Sequence, residues 1–203
     1  PGEKLLMSAL KARYGLGVGP LREALSQLVA EHLVVAISQR GFRVAPMSLA
    51  ELADIYDARA HLEAMILGLA IARGDDAWEA QIVASAHRLA KVLEVKDGEE
   101  MLNLWDARHQ AFHAAIAAGC GSQHLLQARA ALFDQAERYR HLWLQQTVFS
   151  PAALEAKRQE HATLVEVILQ RDSARACAMM QAHLLSPVSI IGELLQARQN
   201  RVE

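Results

Sequence analysis

The chain has 203 residues, 52% of them hydrophobic and 22% charged, and a net charge of −2; this is enough apolar material to bury one large core or two small ones, and it excludes an intrinsically disordered chain. Aromatic residues are scarce (5%) while alanine and leucine abound, a composition that favours helices. No apolar run of about 18 residues suggests a membrane span, no signal peptide opens the chain, and Cys120 and Cys177 give neither a disulfide framework nor a zinc spacing, which points to a reducing cytoplasm.

The net charge hides an asymmetry. Residues 1–48 carry six basic and three acidic side chains, a surplus of +3, which leaves −5 on the remainder. A small basic head on a larger acidic body suits a head that meets phosphates. In that head, Ser8 is placed to cap a short helix ending at Tyr14, and Gly15 and Gly17 then break the pattern. Pro20 sits where the first turn of a new helix tolerates it, and Leu21, Leu25, Leu28 and Val29 follow at helical spacing. Helix, glycine-containing turn and helix make a helix-turn-helix. Leu33 to Ile37, the turn Ser38-Gln39-Arg40-Gly41, and Phe42 to Val44 read as a hairpin, which straight after a helix-turn-helix is a wing. In such a unit the second helix enters the major groove. Gly19, Pro20 and Arg22 then lie at the helix start, with Arg40, Gly41 and Arg43 at the wing tip. Ordinary solvated arginines on a small helical unit would look the same.

The strings Pro1-Gly2-Glu3-Lys4-Leu5, Gly19-Pro20-Leu21-Arg22-Glu23-Ala24-Leu25 and Gly41-Phe42-Arg43-Val44 resemble the winged helix of GntR-type regulators. The resemblance implies binding to double-stranded DNA, with the first helix of that domain preceding Pro1. It departs at Gly17 and Val18, where the family carries a serine and an arginine, so the operator sequence is not transferable.

From Ser48 onward no strand is expected. Ser48 and Glu51 form a capping box for a long helix whose apolar positions include Leu52, Ile55, Ala58, Leu62, Met65 and Leu69. Gly74-Asp75-Asp76 separates it from a helix over residues 77–94, and Asp97-Gly98 precedes one that runs to Ala118. Ser122, Ser150-Pro151 and Asp172-Ser173 open helices to Gln146, Leu169 and Leu185, and a last helix follows Ser186-Pro187 to Arg201. Seven helices with short links make an antiparallel bundle. The architecture expected is therefore mainly α: a partial winged helix-turn-helix over residues 1–47 and an all-helical domain over residues 48–203.

The chain has nine histidines. His109 and His113, at i and i+4, share one helix face, and Phe112 and Ile116 mark that side as apolar. His161 lies mid-helix and His183 late on its helix. Four imidazoles from three helices, turned into one core, would coordinate a divalent metal; each taken alone is better read as a core or surface histidine with a hydrogen-bond partner. Phe112-His113, Glu160-His161 and His183-Leu184 are similar, in order, to the motif of the FCD effector domain of the FadR subfamily. That resemblance implies that His113, His161 and His183 hold a metal together with a fourth ligand, at a position where the family has aspartate and this chain has His109. Asp106, one turn earlier, is the alternative, but His109 keeps the i, i+4 geometry.

Four neutral imidazoles would leave a divalent site at +2, which favours a carboxylate or dianion as the sensed ligand and zinc, or nickel, as the metal. Arg59 matches the arginine that in the family points into the effector pocket. Tyr139 and Arg140, with Arg138, offer a second cluster able to clamp a carboxylate, or simply a solvated helix face. Residues 15–31 and 105–113 are further similar to a family member that represses genes of glutarate and 2-hydroxyglutarate catabolism, which implies a five-carbon dicarboxylate effector. The reading is thus a homodimeric cytoplasmic repressor with no membrane partner. A histidine-rich metalloenzyme acting on a small carboxylic acid, and a helical interaction module, remain as rivals.

Overall fold

The computed structural model describes residues 1–38, 40–146 and 149–199. Its contacts divide the chain into two units, Pro1–Leu52 and Ala53–Glu203. In the first, a strand β1 (Lys4–Leu5) leads into helices α1 (Met7–Tyr14) and α2 (Val18–Ala30) and strands β2 (Val34–Ile37) and β3 (Gly41–Val44). Gly15 closes α1 in the left-handed conformation, φ 65°, with its N–H on Lys11 O at 2.9 Å. Leu21 and Leu25 on one face of α2 are buried, as are Val34 and Ala45. The strands pair antiparallel in the order β1-β3-β2, with Ile37 opposite Gly41, whose φ of 86° makes the wing turn. This is the helix-turn-helix and wing expected from the sequence.

Two details differ from the expectation. Leu6, not Ser8, occupies the cap position of α1, with no side-chain cap bond; Ser8 lies inside the helix. Strand β1 was not anticipated, because two residues carry no readable alternation. It forms as Gly2 N donates to Val44 O at 3.0 Å and Val44 N to Glu3 O at 2.9 Å, which covers the free edge of β3.

The regular structure among the described residues of the second unit is all helical. Helix α3 (Leu49–Arg73) begins where Ser48 Oγ accepts from Glu51 N at 3.1 Å. Then follow α4 (Asp76–Ala90), α5 (Gly98–Glu100), a π-helical segment (Met101–Asp106) and α6 (Ala107–Ala118). The remaining helices are α7 (Gln123–Gln146), α8 (Pro151–Leu169), α9 (Ser173–Leu185) and α10 (Val188–Gln199). Asp75, Ser150 and Asp172 cap α4, α8 and α9 through their side chains. Helix α4 packs on α6 and α8, α8 on α9, and α7 on α10, around a core that includes Ile66, Leu67, Ile82, Met101, Phe112, Ile116 and Ile168.

The helix expected to run unbroken from Asp97 to Ala118 contains the π segment, which apolar spacing over a few residues does not distinguish from α. Met65, expected inside, is 50% exposed; the buried stripe passes instead through Ile66 and Leu67. The stretch Ser173–Ala197 also has the length and mean hydropathy, 1.2, of a membrane span, contrary to the expectation. It is two helices separated at Ser186-Pro187, and Ala176, Met180, Leu184 and Ile191 along it are buried in this unit. The end expected for the last helix, at Arg201, lies outside the described residues.

The end of α6 is closely packed on Trp78. Its indole Nε1 donates to Ala115 O at 3.1 Å and Ile116 O at 3.0 Å, and a Cβ on Gly119 would lie 2.6 Å from that nitrogen. Gly119→Ala is therefore expected to destabilise the protein by about 2 kcal/mol through overpacking, although alanine is otherwise the better helix former by roughly 1 kcal/mol. Urea unfolding checks the sign, and an unchanged or higher midpoint contradicts the packing described.

Candidate metal centre and ligand cavity

Helix α6 carries His109 and His113 one turn apart, α8 carries His161 and α9 carries His183. Burial of Phe112 and Ile116 turns the same side of α6 inward, and Leu164 and Leu184 do so for α8 and α9. The four rings meet: each offers a nitrogen, and the four atoms lie within 4.8 Å of one another. The Nε2 atom of His113 is 3.1 Å from those of His109 and His183, which are 3.3 Å apart. Nitrogens held at about 2.0–2.1 Å by one cation would be about 2.9 Å apart at right angles and about 3.4 Å apart at tetrahedral angles, so the spacing fits a shared metal. Buried His161 Nε2 has no hydrogen-bond partner, as expected of a nitrogen reserved for a ligand bond.

Burial, then the neighbouring imidazoles, hold the pKa of His109 and of His113 well below the usual histidine value. Burial and the His183 charge bring His161 down to about 3. His109, His113 and His161 are thus neutral, with lone pairs available at neutral pH. His183 Nδ1 donates to Glu160 Oε1 at 2.8 Å, which fixes the tautomer that leaves Nε2 bare. Burial opposes the Glu160 carboxylate, but the hydrogen bond and charge of His183, and then those of Lys157, outweigh it and bring its pKa to about 2. Trp105, set by the π segment, stacks on the His109 ring at 4.7 Å and 14°.

Asp106, the alternative fourth ligand, is engaged elsewhere. Arg140 donates to it, and so does Gln110 Nε2 at 2.6 Å. Arg140 Nη2 also lies 3.2 Å from His109 Nδ1. A guanidinium only donates, so this contact selects the His109 tautomer with its proton on Nε2. Metal ligation through His109 Nε2 requires the proton on Nδ1 and the withdrawal of Arg140 from that atom.

The cluster opens on a cavity of about 380 Å³, whose wall includes His109, His113, His183, Trp105 and Gln110 on one side and Tyr56 and Arg59 from α3. Arg129, Phe133, Arg140 and Trp143 from α7 complete it with Lys157. Most of its cations are already neutralised: Arg129 by Glu63 at 2.9 Å, Arg140 by Asp106, and Lys157 by Glu160 at 2.8 Å. Arg59 is the exception. It is 6% exposed, its Nε has no partner, and among the described residues no carboxylate pairs with it. Its guanidinium lies between the rings of Tyr56, at 5.5 Å, and Phe133, at 5.2 Å. Burial lowers its pKa from the usual arginine value.

Of the residues expected to touch an effector, Arg59 and Arg140 therefore line the cavity. Tyr139 does not: it is completely buried, and helix rotation places it beside the cavity wall rather than in it, under the guanidinium of Arg138. Tyr56, one turn before Arg59, was missed although its i−3 spacing put it on the same face; Arg129, Trp143 and Lys157 had no sequence signal. In the first unit Gly19, Pro20, Arg22, Arg40, Gly41 and Arg43 are all exposed, and Arg43 Nη1 donates to Gly2 O at 3.0 Å.

The sequence matches the FCD domain family over residues 54–186 and the family "Bacterial regulatory proteins, gntR family" over residues 1–44. The chain belongs to the gntR family and carries an FCD domain. This GntR regulator is 58% identical over 195 residues, 96% of its length and 89% of the relative's, to the HTH-type transcriptional repressor GlaR of Escherichia coli strain K12. It is 35% identical over 192 residues, 94% of its length and 77% of the relative's, to the HTH-type transcriptional regulator BphR of Paraburkholderia xenovorans strain LB400. Its fold is similar to that of E. coli McbR/YncC, with a TM-score of 0.73 at 19% identity over 95% of this chain and 88% of that one. As a member of this family the chain is a DNA-binding transcription regulator and not an enzyme. Glu160, the candidate general base beside His161, is in any case committed to His183 and Lys157.

The neutral cluster makes metal-free stability depend on pH. His109, His113 and His161 have folded-state pKa values below the unfolded value of about 6.5, so the unfolded chain takes up protons first. Their contribution is complete above about 6.5 and is lost as pH falls toward the folded value, which is about 3 for His161. The urea midpoint is expected to fall steadily below pH 6.5, by up to about 1.4 kcal/mol per pH unit for each histidine. A flat profile from pH 7 to pH 5 contradicts a neutral buried cluster.

Proposed function

We propose that the protein is a homodimeric transcriptional repressor released from its operator when a small dicarboxylate of the glutarate or 2-hydroxyglutarate class binds in the FCD cavity. A divalent metal, zinc by preference or nickel, is held there by His109, His113, His161 and His183. The metal supplies a fixed positive charge and open positions for one carboxylate. The observation that carries the reading is Arg59, a buried guanidinium without a carboxylate partner on the wall of the cavity that the histidines face. With the other cavity cations paired, neutral imidazoles around a divalent ion and an unpaired Arg59 favour a ligand of charge −2. The choice of a five-carbon acid rests on the resemblance of residues 15–31 and 105–113, and repression on the kinship to GlaR.

Operator contact falls to Arg22 at the start of α2, with Gly19 and Pro20, and to Arg40, Gly41 and Arg43 in the wing. The acid lowers operator affinity by favouring a spacing of the two DNA-binding units that does not match the half-sites. His109 would hold the metal through Nε2 only with its proton on Nδ1 and Arg140 withdrawn from that atom.

Calorimetric titration of metal-loaded protein with glutarate and 2-hydroxyglutarate tests this reading. His113→Ala is expected to abolish acid binding, and Arg59→Met to weaken it by about 10- to 100-fold, the loss of a charge-assisted hydrogen bond. Arg22→Ala should weaken operator binding and lower its salt dependence without altering acid binding. Tight acid binding that leaves operator affinity unchanged contradicts the coupling, and equal binding by Arg59→Met contradicts the role given to Arg59.

A further inference from the structure

The start of α2 is bare in a way that the DNA-binding unit itself does not require. Gly17, Val18, Gly19 and Pro20 are consecutive and all exposed, and none carries a side-chain hydrogen-bonding group. Gly17 has φ −69° and ψ 170°, and neither it nor Gly19 has a positive φ, so the backbone demands no glycine at either position. Packing demands none either. Among the described residues a Cβ on Gly19 would meet nothing within 4 Å, and one on Gly17 would meet only Pro20 Cδ at 3.9 Å. Glycine is a poorer helix former than alanine, so a Cβ omitted from α2 where the protein leaves room for it clears space for a surface outside the protein. Val18, the first residue of α2, stands between the two glycines and is 41% exposed. Exposed Arg22 lies one turn further along the same side of the helix.

In a helix-turn-helix the N-terminal residues of the second helix contact base edges. A valine there has no hydrogen bond to offer, and of the four bases thymine alone presents a methyl group in the major groove. We propose that Val18 is a specificity-determining residue of the operator complex: its isopropyl group packs on a thymine C5 methyl, and Gly17 and Gly19 let the start of α2 approach closely enough for that contact. The proposal rests on the assignment of α2 to the operator and names a base that α2 reads. Arg22 donates hydrogen bonds to the DNA, and Val18 adds an apolar contact beside them.

In the experiment the whole chain selects its preferred duplex from a random-sequence DNA library. Each thymine of the selected half-site, on either strand, is then replaced in turn by deoxyuridine, which pairs alike and lacks only the C5 methyl. Binding is read by fluorescence anisotropy for wild type, Val18→Ala and Gly19→Ala, with the thermal midpoint alongside. In the wild type, replacement at one or two thymines is expected to weaken binding about 3- to 10-fold, the worth of burying one methyl group. Val18→Ala should lose a similar factor on the thymine duplex and be indifferent to those replacements, the coupling expected of a direct contact. Gly19→Ala should raise the thermal midpoint and yet weaken operator binding about 10-fold through overpacking against the DNA. A half-site without thymine, a wild type insensitive to every replacement, or equal sensitivity in wild type and Val18→Ala overturns the proposal, and the operator reading of α2 stands if Arg22→Ala still weakens binding. Undiminished binding by Gly19→Ala overturns the close approach. Selection of no sequence overturns the operator reading as well.

Discussion

The cavity of the helical unit is built around one electrostatic constraint: the guanidinium of Arg59, which burial makes costly and which no carboxylate among the described residues contacts, the charges of Glu63 and Glu137 acting on it only from a distance. A buried guanidinium without a counter-ion is unfavourable unless something of opposite charge arrives. The fold has supplied partners to Arg129, Arg140 and Lys157 but not to Arg59, which only two aromatic rings accompany. The four histidines, whose ring nitrogens lie within 4.8 Å of one another, would add a second demand of the same sign if they held a cation.

The supporting arrangement follows from that demand. The three ion pairs of Arg129, Arg140 and Lys157 leave Arg59 as the cavity cation without a carboxylate partner among the described residues. Glu160 serves twice, pairing with Lys157 and orienting His183. Asp106 is likewise shared between Arg140 and Gln110, and its carboxylate sits one turn before the ligand face. The π segment immediately before α6 brings Trp105 onto the ring of His109, so an irregularity of the helix contributes directly to the order of the cluster.

Much of this could be read in the sequence because it is local. Glycine and proline punctuation gave the helix-turn-helix, capping serines and aspartates gave the helix starts, and the i, i+4 spacing gave the shared face of His109 and His113. Meeting those two with His161 and His183 needed the family resemblance, because residues that lie tens of positions apart on separate helices leave no periodic signal. Other features were illegible for physical reasons. Two-residue β1 is held by its partner strand, not by its own pattern. The partnership of Asp106 with Arg140 spans two helices, and only helix rotation decides that Tyr139 faces the core while Arg140 faces the cavity.

Coupling between the cavity and the DNA-binding unit is the central claim, and linkage makes it measurable in one equilibrium. The measurement is operator affinity, by fluorescence anisotropy, with and without glutarate, for metal-loaded protein and for protein stripped by a chelator. The account predicts that the acid lowers operator affinity at least tenfold in the loaded protein and has no effect on the stripped one. An equal response in both, or none in the loaded protein, would contradict it.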